Sequence, residues 1–186
     1  MAIEKIIPDG SSAVPADWSS NPHLALDADD TNFASCSQPG KKMTIHFSDL
    51  TSNIGSINSI RFYINGFDSQ VRGASDICYF DLANASDASY SLSENKTFTD
   101  ASGLTVQAGT ERTTYDGSNA WTVSLVNGIR IIVGTVNIHP GGTVELDHLY
   151  INVDYNPAGT ATYDTTVNNT HITSGNMNVS SGNIFI

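Results

Sequence analysis

Apolar and polar side chains alternate with a period of two along much of the chain, the mark of strands with one buried and one solvated face. Met43, Ile45 and Phe47 fall on one face, with Thr44 and His46 on the other. Ile60, Phe62 and Ile64 repeat the pattern, with Arg61, Tyr63 and Asn65 opposite. Trp121, Val123 and Leu125 predict a third strand. Leu149, Ile151, Val153 and Tyr155 predict a fourth, with Asn152 and Asp154 outward. Weaker runs predict strands at 77–82, 89–93, 104–108, 128–133 and 135–139. No window carries the i, i+3, i+4, i+7 apolar spacing of an amphipathic helix. Asn65-Gly66, Asp116-Gly117, Asn127-Gly128 and Pro140-Gly141-Gly142 punctuate the runs with residues suited to left-handed turn conformations. About eight or nine short strands at this spacing predict an all-β fold, an antiparallel β-sandwich of the jelly-roll kind.

The two ends depart from this pattern. Pro8, Gly10, Pro15 and serine pairs make residues 1–15 an extended N-terminal arm. The sandwich domain then spans 16–155, a linker begins at Asn156-Pro157-Ala158-Gly159 and covers 156–162, and residues 163–186 form a β-prone C-terminal tail. Past Asp164 the tail has no Asp, Glu, Lys or Arg. Ser174-Gly175-Asn176 recurs as Ser181-Gly182-Asn183, but two copies are too few for a self-supporting solenoid. So short a segment cannot bury its own Ile172, Met177, Val179, Ile184, Phe185 and Ile186. It also lacks the charges that keep strand edges apart, so these side chains are the candidate assembly interface. The competing reading is a disordered tail.

Composition narrows the function classes. A length of 186 residues suits one domain with a short appendage. Only 15% of residues are charged, against roughly 25% in typical soluble domains, so the polar surface must be built from Ser, Thr, Asn, Asp and Gly. The net charge is −11, and the eight cations are scattered from Lys5 to Arg130. Such a chain cannot present a phosphate-neutralising stripe, so no nucleic-acid partner is expected. No run approaches the roughly 20 apolar residues of a membrane-spanning helix, so no membrane partner is expected either. The N-terminus lacks the charged-then-apolar pattern of a secretory leader. Cys36 and Cys78 have no CxxC spacing and are expected as reduced thiols, with a disulfide as the alternative.

No G-x-S-x-G, HExxH, Walker loop or GxGxxG occurs, and the chain is expected not to be an enzyme. His23, His46, His139, His148 and His171 are scattered and read as structural or surface residues, with His46 and His148 on outward strand faces. Asp27, Asp29 and Asp30 are the candidate metal ligands, because clustered hard oxygens suit Ca²⁺. Thr31 and Asn32 depart from the EF-hand pattern, so an ion-free acidic loop competes with that reading and no cofactor is required. Trp18, Tyr63, Tyr79, Tyr90, Tyr115, Trp121 and Tyr150 are available to stack on sugars. A sugar-binding module would gather such rings on one sheet face or at the loop ends, whereas only Tyr63 is predicted outward.

Several segments in order carry a resemblance. Trp18–Ala34 opens it, Lys42–Leu50 gives a first core strand, and Ile57–Gly66 follows the form I-x-x-I-x-F-x-I-x-G. A Trp-containing strand at Ala120–Leu125 comes later, and Val144–Tyr155 closes the domain. This order resembles the galactose-binding-like jelly-roll domains of tailed-bacteriophage virion proteins over about residues 16–155. The resemblance implies a capsid cement or decoration protein, with a tail or fibre component as the alternative. It further implies a homo-oligomer, expected as a trimer, that binds the major capsid protein or other virion proteins on the outer surface of the particle. Assembly would take place in the bacterial cytoplasm. It carries over no catalytic residues, and the acidic loop at Asp27–Asp30 matches its pattern. The rival from another class is a carbohydrate-binding module, with Ca²⁺ as its candidate ion.

Overall fold

The computed structural model describes residues 1–10, 17–18, 26, 33–69, 75–99 and 104–159. Among the described residues nine strands and one short helix follow in order: β1 (Ala2–Ile6), β2 (Ala34–Cys36), β3 (Lys42–His46), β4 (Ile54–Asp68), β5 (Ser75–Ala83), β6 (Glu94–Thr99), β7 (Thr105–Ala108), α1 (Val123–Asn127), β8 (Arg130–Asn137) and β9 (Val144–Pro157). One sheet has the order β1-β9-β4-β7, with β2 also paired to β9; the other has the order β3-β8-β5-β6. Among the described residues every strand pairing is antiparallel. The chain shuttles between the sheets in the pairing order of a jelly roll.

Alternation explains which residues lie between the sheets. Met43, Ile45 and Phe47 are buried, as are Ile60, Phe62 and Ile64, and Leu149, Ile151, Val153 and Tyr155. Leu146, Val133, Ile131, Phe80 and Phe98 complete a continuous apolar layer. Both cysteines are buried free thiols. Burial pushes the Cys78 thiol far up, with help from the Asp76 charge and from Cys36, so it stays protonated.

Four local expectations are corrected. Trp121 is buried as expected, but Val123–Asn127 is helical, capped by the Thr122 hydroxyl accepting from the Leu125 N–H. Residues 89–93 form no strand beyond a single bridge from Ser89 to Ala83, and the edge pairing passes to β6. The runs at 128–133 and 135–139 are one strand, β8, because Gly134 does not break it: the Tyr79 ring lies where a Cβ would stand. Asn65-Gly66 is no turn but part of β4, where Gly66 admits the Phe98 ring and the Glu145 carbonyl at close range. Asp116-Gly117 and Pro140-Gly141 do turn the chain, with Gly117 at φ +84 and Gly141 at φ +82.

The stretch read as an N-terminal arm includes a strand of the sandwich: β1 pairs with the C-terminal half of β9 from Ala2↔Tyr155 to Ile6↔Ile151. β2 takes the remaining edge of β9, so two short segments cover one long strand. β9 itself runs through Asn156 and Pro157. Between Ile64/Leu149 and Gly66/Leu146 its register slips, leaving Asp147 and His148 as the bulged pair and turning Asp147 into the interior. Among the described residues no helix is long and apolar enough to cross a membrane.

Candidate functional site

The outer face of the β1-β9-β4-β7 sheet is built by the positions that alternate with its core residues. Tyr63 on β4 stands directly opposite Tyr150 on β9. Their rings stack with centroids 4.9 Å apart and planes 8° from parallel. Lys5 on β1 places its Nζ 4.2 Å from the Tyr150 ring centre. The Arg61 guanidinium lies 5.9 Å from the Tyr63 ring centre, while its Nε donates to the Gly109 carbonyl at 2.6 Å. His148 adds its ring 4.7 Å from Tyr150. Asn152 sits opposite both Arg61 and Lys5 in register. Toward the end of the sheet a ladder of amides continues the face: Asn156 Nδ2 donates to Asn58 Oδ1 at 2.9 Å and to Ser56 Oγ at 3.1 Å. Asn58 Nδ2 in turn donates to Asp154 Oδ1 at 3.2 Å. Partial burial and then the neighbouring Tyr63 phenol push the Tyr150 hydroxyl above its ordinary pKa, so it stays a neutral donor.

The other aromatic candidates are committed elsewhere. Trp18 and Trp121 are buried. Tyr90, Tyr115 and Trp121 pack edge to face with one another, and Trp121 Nε1 donates to the Arg112 carbonyl at 3.0 Å. Tyr79 covers Gly134 on the opposite sheet. The expected outward Tyr63 stacks on Tyr150, whose outward side is not among the sequence expectations.

A second polar group lies inside one end of the sandwich. Asp68 at the end of β4 and Asp76 at the start of β5 are both fully buried. His139, just past β8, brings Nδ1 to 2.9 Å from Asp76 Oδ1 and 3.4 Å from Asp68 Oδ2. Its backbone N–H also donates to Asp76 Oδ1 at 2.9 Å. From the sequence His139 reads as structural or surface and neither aspartate stands out, because no spacing links positions at the ends of three separate strands. His46 and His148 sit half-buried on outer strand faces, as expected. Asp27, Asp29 and Asp30, and the tail residues Ile172, Met177, Val179, Ile184, Phe185 and Ile186, lie outside the described residues.

No family model matches the chain, and no curated protein matches it. Similar solved structures exist at low identity. The CBM36-1 domain of a multidomain xylanase from the hindgut metagenome of Trinervitermes trinervoides aligns at 10% identity and a TM-score of 0.42, covering 84% of this chain and 100% of that one. A family 29 carbohydrate-binding module from Piromyces equi aligns at 10% identity and a TM-score of 0.38, covering 82% and 91%. The CBM22-1 xylan-binding domain of Paenibacillus barcinonensis Xyn10C aligns at 10% identity and a TM-score of 0.32, covering 67% and 82%.

Proposed function

We propose that this chain is a non-catalytic carbohydrate-binding module whose ligand lies on the outer face of the β1-β9-β4-β7 sheet at Tyr63 and Tyr150. The carrying observation is the cross-strand Tyr63–Tyr150 pair, held parallel at 4.9 Å on a solvated sheet face. A pyranose needs apolar surface for its C–H faces and donors and acceptors for its hydroxyls. The two phenols supply both, and Asn152 and the Asn58–Asn156 ladder extend the polar component along the sheet. Lys5 and Arg61 beside the rings make this a locally cationic strip on an acidic protein, which favours uronate-bearing over neutral glycans.

The virion cement reading and its tail or fibre variant share the jelly-roll fold. Their own carriers, the C-terminal tail and the acidic loop, lie outside the described residues, and no described side chain favours them. The test of the carbohydrate reading is retardation of the full chain in gels containing neutral or uronate-bearing polysaccharides. The wild type is expected to be retarded, and Tyr63→Ala and Tyr150→Ala are expected to migrate freely. Equal retardation of wild type and both variants, or none on any polysaccharide, overturns the reading.

A further inference from the structure

At one end of the sandwich the inward-facing positions of two strands change from apolar to acidic. Along β4 the buried series runs Phe62, Ile64, Gly66, Asp68; along β5, read backwards, it runs Leu82, Phe80, Cys78, Asp76. Both carboxylates have 0% exposure. The two strands belong to different sheets, so two core positions bring carboxylates together across the interior. One ligand atom each from Asp68, Asp76 and His139 can be chosen so that all three lie within 4.8 Å of one another.

One further observation points to a guest between them. Asp76 spends Oδ1 on the His139 backbone and ring, while its Oδ2 is buried with no hydrogen-bond partner among the described residues. Gly142 borders the same group: a Cβ there would stand 2.5 Å from His139 Cε1 and 2.6 Å from its Nδ1, so glycine makes room for the imidazole against the carboxylates.

We propose that Asp68, Asp76 and His139 form a site for a first-row divalent cation, Zn²⁺ in its simplest form, that clamps the two sheets together at this end. Two carboxylate oxygens and one imidazole are a mixed oxygen–nitrogen set that such ions accept, with water in the fourth position. Ca²⁺ wants six to eight oxygens and gains little from imidazole. The ion replaces the 2.9 Å hydrogen bond between His139 Nδ1 and Asp76 Oδ1 with a bond from each group to the metal. The site is separate from the tyrosine pair, since Asp68 follows Tyr63 by five strand residues, roughly 17 Å. It stands whether or not the protein binds a glycan.

The experiment is equilibrium dialysis of the full chain, stripped with chelator, against Zn²⁺, Mn²⁺ and Ca²⁺, with thermal unfolding followed in parallel. The expected result is one Zn²⁺ per chain and a raised melting temperature. Asp76→Asn and His139→Gln should each weaken Zn²⁺ by more than the roughly 10–100-fold that losing an outer partner costs, and Asp27→Asn/Asp30→Asn should leave it unchanged. Because Asp76→Asn can perturb folding, Co²⁺ is added to the wild type as a second readout, with the visible absorption of a tetrahedral, imidazole-bound ion expected. Absence of Zn²⁺ binding, binding that survives both site variants, preference for Ca²⁺, or a Co²⁺ spectrum without tetrahedral bands overturns the proposal.

Discussion

Phe62 and Phe80 stack across the interior of the sandwich, with ring centroids 5.3 Å apart and planes 24° from parallel, and so join the two sheets through β4 and β5. The next residue along β4, Tyr63, turns to the other side and stacks on Tyr150 instead. A core contact and a surface contact are therefore separated by one peptide bond.

That proximity makes a sharp comparison. Phe62→Ala empties a site only 3% exposed and should cost about 3–5 kcal/mol, the usual price of removing a core aromatic. Tyr63→Ala removes a cross-strand pair on a solvated face and should cost about 1 kcal/mol or less. Urea denaturation of both variants decides it. Equal losses would contradict the register, since a one-residue slip exchanges the two faces.

Gly66 offers a steric test inside the same strand. A Cβ there would stand 2.6 Å from the Phe98 ring and 2.9 Å from the Glu145 carbonyl oxygen. Both obstacles are fixed, one by the core and one by β9. Gly66→Ala should therefore destabilise by roughly 1–3 kcal/mol, as overpacking does. Gly159→Ala, where nothing lies within 4 Å, should melt like the wild type.

Much of this fold was legible because inward positions of the long strands are apolar without exception over 43–47, 60–64 and 149–155. Legibility failed where a local cue competed with tertiary packing. Asn65-Gly66 has the composition of a turn, yet the glycine serves the approach of Phe98 and β9. Trp121, Val123 and Leu125 alternate like a strand, but Thr122 caps a helix and Val126 carries its burial. Ending β4 at Gly66 also hid Asp68: continuing the alternation by two residues places it inward. Tyr150 was equally readable as outward, but its stacking on Tyr63 depends on the β4–β9 register, which no local pattern contains.

Glu94 makes stability depend on acid pH. Burial alone would raise its carboxyl, but hydrogen bonds from Lys96 and the Thr110 N–H, with the charges of Lys96 and Arg112, outweigh burial and hold it below its ordinary 4.5. A carboxyl whose folded pKa is depressed contributes stability that is complete above the unfolded value and disappears as pH falls through the folded one. The melting temperature should therefore fall below about pH 4.5, and Glu94→Gln should flatten that part of the profile. A wild-type profile matching that of Glu94→Gln below pH 4.5 would refute the assignment.

Glu145 should behave in the opposite sense. Burial raises its carboxyl, so the folded state holds this proton more tightly than the unfolded chain does. Its ionisation therefore subtracts stability above the raised folded pKa, and that loss is recovered as pH falls through it. Glu145→Gln should melt higher than the wild type at pH 7, with the difference vanishing in acid. A lower melting temperature at pH 7 would mean that the carboxylate has a favourable role.

Lys5 tests the charge preference of the tyrosine face. Its Nζ lies 4.2 Å from the Tyr150 ring centre, so the side chain both covers one ring and supplies a positive charge beside it. Removing it has two consequences of opposite sign. A uronate-bearing ligand loses an ion pair of roughly 0.2–1 kcal/mol, which is about 1.4–5-fold in affinity at low salt and less at high salt. A neutral ligand loses nothing electrostatic and gains access to the uncovered ring. Lys5→Ala should therefore bind uronate-bearing polysaccharide more weakly and with a shallower salt dependence, while binding neutral polysaccharide as well as the wild type or better. Calorimetric titrations at two salt concentrations separate these terms. Parallel weakening toward both ligands would show that Lys5 acts by holding Tyr150 in place, and would remove the charge argument for acidic glycans.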